Sequence, residues 1–226
     1  MELIDVLSKN KLFEGMKEDT IWSMLSCLGY TLKKYKKGSF VWQEESPIDA
    51  IGILISGQVQ LIKDDFLGKR SIVSVINAGE MFGEAFVCAG LKNSPVCVLC
   101  SGDSEILFLK FEKFLKPCQN ACVFHVNLIE RLMRTIAQKN VQLNGKLDYL
   151  CKRTIREKLT AYLLSEHKKQ KSNPFLVDFN RNELADFLCV DRSAMSRELS
   201  KMKQQKLIDY WKNSFKIINF DQIKIL

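Results

Sequence analysis

The sequence predicts an α+β protein with three consecutive parts: a small N-terminal β-barrel or sandwich, one long helix, and a C-terminal winged helix-turn-helix. Three observations support this prediction. Residues 30–115 consist of short alternating apolar and polar runs interrupted by glycine, which is typical of short strands and tight turns. Residues 126–147 carry apolar side chains at heptad spacing. Residues 178–203 resemble two short amphipathic helices with a tight joint.

Composition and charge limit the possible functions. Hydrophobic residues make up 46% of the 226 residues and charged residues 27%, as in ordinary soluble domains. No apolar run approaches the roughly 18 residues of a membrane span, and the start MELIDVLSKNKLF lacks the pattern of a signal peptide. We therefore expect a cytoplasmic protein with no membrane partner. The net charge is −2 over residues 1–115, +4 over 116–147 and +6 over 148–226, which indicates a polyanionic partner for the C-terminal part.

The β-rich region follows a helical lead-in over residues 1–30. The predicted strands are 39–42, 50–55, 59–62, 71–76, 96–100 and 106–109. A polar hairpin loop is expected at 63–69. This region is predicted to form the barrel.

A long helix is predicted to follow, and we assign it to residues 117–147. Its apolar positions alternate at spacings of three and four: Val126, Ile129, Met133, Ile136, Asn140, Leu143 and Leu147. Such a seam predicts a homodimeric coiled coil, in which the polar Asn140 fixes the register. The alternative is an amphipathic helix packed on its own domain.

The helix-turn-helix prediction rests on local signals between residues 178 and 203. Asn180 and Glu183 fit a capping box, and Asp191 can cap a second helix. Four residues of that second helix are expected to face inward: Ala194, Met195, Leu199 and Met202. Its outer face carries Arg192, Ser193, Ser196, Arg197 and Lys201. This layout is typical of a recognition helix that enters the DNA major groove, and the alternative is a helical hairpin with a solvated basic face.

Other C-terminal segments complete the winged fold. We expect a helix at 156–164, a polar loop at 167–174, a short strand at 175–179, and a hairpin formed by 206–211 and 215–220.

Eight cysteines, at positions 27, 88, 97, 100, 118, 122, 151 and 189, do not imply disulfides in a cytosolic chain. Cys97 and Cys100 lie on a predicted strand and point to opposite faces, so they cannot easily hold one metal ion. Cys118 and Cys122 share a helix face, which leaves a redox or metal role open. The only histidines are His125 and His167. No metal site is predicted, and the cofactor is unknown.

The order of barrel, long helix and winged helix-turn-helix resembles the Crp/Fnr family of transcription regulators. The segments that carry the resemblance are the strand motif ILISGQV (53–59), the cassette GEMFGE (79–84) and the recognition-helix sequence DRSAMSREL (191–199). The resemblance implies a sensor domain over 1–116 with a cyclic-nucleotide-binding-like jelly roll, a dimerisation helix over 117–147, and a DNA-binding domain over 148–226. It also implies a homodimer on a palindromic promoter site, with RNA polymerase as a further partner.

The effector cassette departs from the cyclic-nucleotide-binding pattern. Gly83 and Glu84 match the family's glycine and ribose-binding glutamate, but Asn93, just before Ser94, stands where the phosphate-binding arginine is expected. Burying a phosphate without a counter-ion is costly. We therefore expect a small-molecule effector other than cyclic AMP, or a pocket filled by side chains. The pocket candidates are Gly83, Glu84, Phe86, Asn93, Ser94 and Asn140.

The resemblance also suggests roles on the recognition helix. Arg192 and Arg197 are candidates to read guanine edges, while Ser196 and Lys201, with Lys212 and Lys216 on the wing, are phosphate candidates. Ser193 replaces a glutamate found in catabolite-activator-type members, so their half-site should not be transferred. Two alternatives stay open: a ligand-binding interaction protein without sequence-specific DNA binding, and a haem- or redox-sensing member. No catalytic constellation is present in the sequence, so an enzyme is not expected.

Overall fold

The structure is a computed structural model that describes residues 3–65, 67–68, 70–115 and 123–224. The chain divides into a first unit, Met1–Asn140, and a second unit, Val141–Leu226. The helices are α1 (Leu3–Lys9), α2 (Glu18–Leu28), α3 (Glu84–Cys88), α4 (Phe111–Leu115), α5 (Val123–Leu150), α6 (Ile155–Gln170), α7 (Arg181–Leu188), α8 (Arg192–Gln204) and α9 (Phe220–Lys224). The strands are β1 (Tyr30–Tyr35), β2 (Phe40–Trp42), β3 (Ala50–Ser56), β4 (Gln58–Asp64), β5 (Arg70–Asn77), β6 (Met81–Phe82), β7 (Cys97–Cys100), β8 (Ser104–Lys110), β9 (Phe175–Leu176), β10 (Ile208–Trp211) and β11 (Ser214–Ile217).

Two four-stranded antiparallel sheets form the β-part of the first unit. Their strand orders are β1-β8-β3-β6 and β2-β7-β4-β5. Side chains from both sheets share one core, which includes Leu54 of β3, Val98 of β7 and Ile106 of β8. The predicted barrel-like fold is confirmed in this two-sheet form.

Strand β3 is buried on both faces, which explains its continuous apolar sequence. Ile51, Ile53 and Ile55 pack into a second core together with the helices, whereas Leu54 points into the core between the sheets. Gly52 belongs to the inter-sheet face, where a Cβ atom would lie only 2.3 Å from the Phe82 ring. The strand therefore needs a residue without a side chain at this position.

Strand β1 was not among the predicted strands. It pairs with β8 along its whole length, but five of its six residues are exposed, and lysines occupy positions 33 and 34. Charged side chains on an edge strand protect it against further pairing, and they also remove the apolar alternation by which a strand is recognised.

The second unit contains the predicted helix-turn-helix, α7 and α8, and a three-stranded sheet in the order β10-β11-β9. Its core is rich in aromatic rings, with Tyr162 and Phe179 both in contact with Phe187. Several boundaries differ from prediction, and the expected hairpin strand 215–220 ends at Ile217 because α9 begins at Phe220. Helix α6 continues to Gln170, so part of the expected loop at 167–174 is helical. Lysines in the last turn stabilise this extension because their charge interacts favourably with the negative end of the helix dipole. Strand β9 is only two residues long.

Gly52 provides a test of the core packing. Gly52→Ala should lower the free energy of unfolding by about 1–3 kcal/mol or more, because the added methyl group forces the Phe82 ring to move. Gly145→Ala is the matched control, since a Cβ atom at Gly145 meets nothing within 4 Å and alanine favours a helix by about 1 kcal/mol. Urea denaturation should show opposite shifts for the two variants. Equal midpoints would contradict the packing described here.

Candidate DNA interface and sensor site

Local hydrogen bonds define both helices of the helix-turn-helix. The Asn180 side chain accepts from the amides of Asn182 and Glu183, and the Glu183 carboxylate accepts from the Asn180 amide at 2.8 Å, so the predicted capping box is present. Helix α7 ends at Leu188 and is followed by the cap residue Cys189, whose φ of 53° is left-handed. Asp191 then caps α8 by accepting from the Ala194 amide at 2.8 Å.

Helix α8 has a buried inner face and a charged outer face. Met195, Leu199 and Met202 are buried as predicted, while Ala194 is only partly covered. Arg192, Arg197 and Lys201 are exposed, and Ser196 is half-buried. A shallow open groove runs along this outer face, lined by Ser196, Arg197, Ser200, Lys201 and Gln204.

Ser193 is exposed but takes part in the helix cap. Its hydroxyl donates to Asp191 Oδ1 at 2.6 Å. This bond and the Ala194 amide hold the pKa of Asp191 below its usual value. Ser193 therefore stabilises the start of α8, a role that the sequence comparison with glutamate-containing members did not reveal.

An ion pair missed at the sequence level fixes α8 to α6. Arg156 Nε lies 2.5 Å from Glu198 Oε1, and both side chains are largely covered. Glu198 is next to the exposed Arg197, so the pair restrains the rotation of α8 that presents Arg197. Nothing local in the sequence marks this contact, because its partners are 42 residues apart.

The wing packs against the helix-turn-helix through Arg181. Its guanidinium lies 4.9 Å from the ring centroids of Tyr210 and Phe215, and Nη2 donates to the Lys212 carbonyl at 2.9 Å. Lys212 and Lys216 are both exposed. The first residue of α7 thus positions the turn of the β10–β11 hairpin.

The predicted effector site contains an ion pair between a buried glutamate and a partly exposed lysine. Gly83 takes a left-handed conformation, with φ 82°, immediately before α3. Glu84 begins this helix, and its side chain is only 4% exposed. Lys139 of α5 places Nζ 2.7 Å from Glu84 Oε1 and also donates to the Met81 carbonyl. The glutamate that matches the family's ribose ligand is therefore neutralised by a lysine of the same chain.

Lys139 belongs to an inner row of α5, which we define as Leu128, Leu132, Thr135 and Lys139. The first three are buried, and Leu128 and Leu132 join the helix-covered core. The spacing of four, three and four residues is helical. This spacing could have been recognised in the sequence, but the apolar seam on the other side of the helix is the stronger pattern.

Aromatic side chains fill the space beside Gly83. The ring centroid of Trp42 is 5.1 Å from that of Phe82 and 6.1 Å from that of Phe108. A Cβ atom at Gly83 would lie 2.6 Å from the Trp42 ring. Phe86 is half-buried and packs against both cores of the first unit.

The remaining pocket candidates do not converge on Glu84. Asn93 is exposed, and its amide donates to Glu45 Oε2 at 3.5 Å. Ser94 is fully buried, but its hydroxyl donates to the Val96 carbonyl at 2.7 Å. Asn140 is exposed on α5. The structure thus brings Gly83 and Glu84 together with Lys139 and places Asn93 on the surface.

The apolar seam of α5 is largely uncovered in the single chain. Val126 and Met133 are each 67% exposed, and Leu147 is 54% exposed. Ile136 differs from the others because it packs partly against the core of the first unit. We define the outer stripe as Val126, Ile129, Met133, Asn140, Leu143 and Leu147. If the apolar seam served only to pack the helix on its own domain, these residues would be buried. Instead, the inner row is buried and the outer stripe is exposed.

The described residues contain neither a cluster suited to a metal ion nor a helix suited to a membrane. In the described part of the chain, no group of three or more His, Cys, Asp or Glu residues is placed to hold a metal ion. Cys118 and Cys122, and the side chain of His125, lie outside what the structure describes. Among the described helices, none is both long and apolar enough to cross a membrane.

Comparison with known proteins identifies both domains. Residues 32–121 match the cyclic nucleotide-binding domain, and residues 157–225 match the Crp-like helix-turn-helix domain. The chain is 24% identical over 197 residues to the cyclic AMP receptor protein of Thermus thermophilus, with 87% of each chain covered.

Solved structures share the fold. A CooA mutant from Carboxydothermus hydrogenoformans has a TM-score of 0.75 at 15% identity and covers 100% of this chain and 95% of its own. The c-di-GMP-responsive global regulator CLP of Xanthomonas campestris has a TM-score of 0.74 at 15% identity, covering 90% and 100%. FixK2 from Bradyrhizobium japonicum has a TM-score of 0.67 at 18% identity, covering 88% and 98%.

A domain of the cyclic nucleotide-binding type followed by a helix-turn-helix defines a DNA-binding regulator with a sensor domain. The two matched regions together span more than half of the sequence, and the chain belongs to the Crp/Fnr family of transcription regulators. Members of this family are regulators, not enzymes.

The buried pair can be tested by a double-mutant cycle. Lys139→Met should destabilise the protein by about 3 kcal/mol, because it leaves the Glu84 carboxylate buried without its cation. Adding Glu84→Gln to that variant should recover much of the loss, since no charge then remains buried. Lys92→Met, at an exposed lysine, is the control and should change stability by less than about 0.5 kcal/mol. Strictly additive effects in urea denaturation would argue against the pair.

Proposed function

We propose that the protein is a homodimeric transcription regulator that binds a palindromic promoter site through α8 and responds at its sensor domain to a signal other than cyclic AMP. The observation that carries the DNA-binding part is the capped α8. Its buried inner face and its Arg156–Glu198 ion pair hold Arg192 and Arg197 toward solvent. A rigid support of this kind is what base recognition requires.

Each outer-face residue has a role set by its chemistry. Arg192 and Arg197 read guanine through paired hydrogen bonds, each worth about 1–3 kcal/mol against a wrong base. Ser196 and Lys201 contact phosphates, as do Lys212 and Lys216 on the wing. Ser193 contributes chiefly through the Asp191 cap.

The outer stripe of α5 supports a homodimer. Six positions repeat at heptad spacing, and the apolar ones carry exposed fractions from 38% to 67%. A second copy of the same helix presents a matching surface and buries them. Asn140 pairs across the two helices and fixes their register. Such a dimer places its two recognition helices about 34 Å apart, one turn of B-DNA.

The sensor site supports a signal other than cyclic AMP. A cyclic nucleotide needs a cation for its phosphate and a free carboxylate for its ribose hydroxyls. Here the neutral, exposed Asn93 stands where the phosphate-binding cation is expected. The Glu84 carboxylate is not free either, because it is paired with Lys139. Because Lys139 is part of α5, any ligand that displaces it from Glu84 also acts on the dimerisation helix.

Further parts of the proposal follow from the family. The protein acts in the cytoplasm, where bacterial DNA is located, and RNA polymerase is its partner at the promoter. It has no enzymatic activity of its own. The competing possibility is an interaction module without sequence-specific DNA binding, and site selection from random DNA distinguishes it from the proposed regulator.

Selection of binding sites from random duplex DNA tests base reading. Wild-type protein should select a palindrome, and Arg197→Ala should lose preference at one base pair of each half-site, by about 1–3 kcal/mol. Lys201→Ala should weaken binding to all sequences equally and reduce its salt dependence. Added cyclic AMP should leave these affinities unchanged. An Arg197→Ala variant with unaltered preference would exclude base reading by that residue, and absence of any selected sequence would favour the interaction module.

The dimer can be tested on the outer stripe. Leu143→Glu should shift the protein toward monomer and raise the dimer dissociation constant at least about tenfold, because it places a charge in the seam. Gln142→Glu is the matched control, since Gln142 is exposed on a different side of the same helix. Analytical ultracentrifugation at micromolar concentrations distinguishes the species. A wild-type protein that sediments only as a monomer would refute the seam.

A further inference from the structure

The outer face of the wing sheet carries two large apolar side chains that no packing explains. Trp211 pairs with Ser214, and Ser214 pairs with Leu176. Directly paired residues on neighbouring antiparallel strands point to the same face. Trp211 is 78% exposed and Leu176 is 62% exposed, with only the small Ser214 between them. We define these three residues as the wing patch.

The opposite face of the same sheet shows that this exposure is selective. Phe175 and Phe215 are paired and buried there, and Tyr210 packs against Phe215 with ring centroids 5.5 Å apart and the rings tilted by 35°. The sheet therefore has one buried apolar face and, on its other side, an apolar patch exposed to solvent. An exposed tryptophan in a polar surrounding is typical of a binding surface.

Basic side chains surround the wing patch. Lys212 follows Trp211 directly in the turn, and Lys216 is the strand partner of Asp209. Asp209 is neutralised by Lys203, whose Nζ lies 2.7 Å from Oδ1. The rim of the patch is thus positive overall, which favours an anionic partner.

The patch is continuous with the candidate DNA interface. Lys203 belongs to α8 and also donates to the Tyr210 carbonyl at 3.3 Å, so β10 lies beside the recognition helix. Arg181, the first residue of α7, holds the Lys212 carbonyl. A duplex seated on α8 therefore meets the wing at the adjoining backbone and minor groove.

We propose that Trp211, supported by Leu176, packs against the deoxyribose rings and base edges of the minor groove that flanks each half-site, while Lys212 and Lys216 neutralise the adjoining phosphates. This inference rests on the proposed DNA-binding function. DNA offers both components of the required surface, since its sugars and base faces are apolar and its phosphates are anionic. Aromatic and aliphatic side chains use the minor groove and base faces in this way.

The apolar contact has a signature that a phosphate contact lacks. Binding through lysine releases counterions, so the logarithm of affinity falls with the logarithm of salt concentration in proportion to the number of phosphates neutralised. An indole contact releases none. Trp211→Ala should therefore weaken binding at every salt concentration without changing the slope, whereas Lys212→Ala should reduce the slope by about one per protomer.

The experiment measures affinity of the full chain for its selected palindrome, with and without six extra flanking base pairs on each side, over a series of salt concentrations. We expect Trp211→Ala to bind about fivefold or more weakly on the long duplex and to match wild type on the short one. Trp211→Phe should keep most of the affinity, which controls for loss of folding. Leu67→Ala, at another exposed apolar residue outside the second unit, should have no effect on either duplex.

Two results would overturn the inference. If Trp211→Ala binds the long duplex as tightly as wild type while Arg197→Ala still loses its base preference, the proposed function stands and the wing contact is wrong. If Trp211→Ala retains DNA affinity but loses binding to an acidic protein partner such as purified RNA polymerase, the patch serves protein contact instead. Failure of wild-type protein to select any DNA would refute the proposed function itself.

Discussion

Burial of the inner row of α5 against the first unit is the constraint on which the other features depend. Once Leu128 and Leu132 enter the core, the rotation of the helix is fixed. Lys139, two turns beyond Leu132, must then face Glu84, and the outer-stripe residues of the first unit must face away from its core. One helix thus closes the candidate sensor site on one side and carries the proposed dimerisation surface on another. A change in its rotation would alter both together.

The ion pair at Glu84 gives this constraint a chemical consequence. A carboxylate that is almost fully buried requires a partner, and removing that partner costs about 3 kcal/mol. Lys139 supplies the partner from α5. The same helix continues into the second unit, where Lys146 lies over the Phe187 ring with Nζ 3.9 Å from its centroid, and burial lowers the Lys146 pKa to about 8. Phe187 belongs to α7, the first helix of the helix-turn-helix, so within each unit α5 contacts a helix of the candidate site.

The sequence was most informative where structure is local. Asn180, Glu183 and Asp191 act within three residues of their own positions, so their caps could be assigned residue by residue. Contacts between distant residues left no such pattern: Lys139 meets Glu84 and Arg156 meets Glu198 only because of tertiary packing. Strand β1 was missed for a different reason, since its exposed lysines hide the alternation of a strand. Ser193 shows a third limit of prediction from sequence. The resemblance suggested only that a base contact is lost at this position, whereas the structure shows that the Ser193 hydroxyl supports the Asp191 cap.

The two ends of the chain therefore differ in how binding is achieved. In the second unit, rigid supports hold charged and aromatic groups in water: the Arg156–Glu198 pair behind Arg197, and Arg181 behind the wing turn. Groups that are already ordered lose little entropy when a partner arrives. In the first unit the buried Glu84 carboxylate is already paired through Oε1 with Lys139, so a ligand that binds this oxygen has to replace an existing ion pair. The candidate DNA interface thus consists of groups that are already ordered in water, whereas at the candidate sensor site the carboxylate is held by the chain's own lysine.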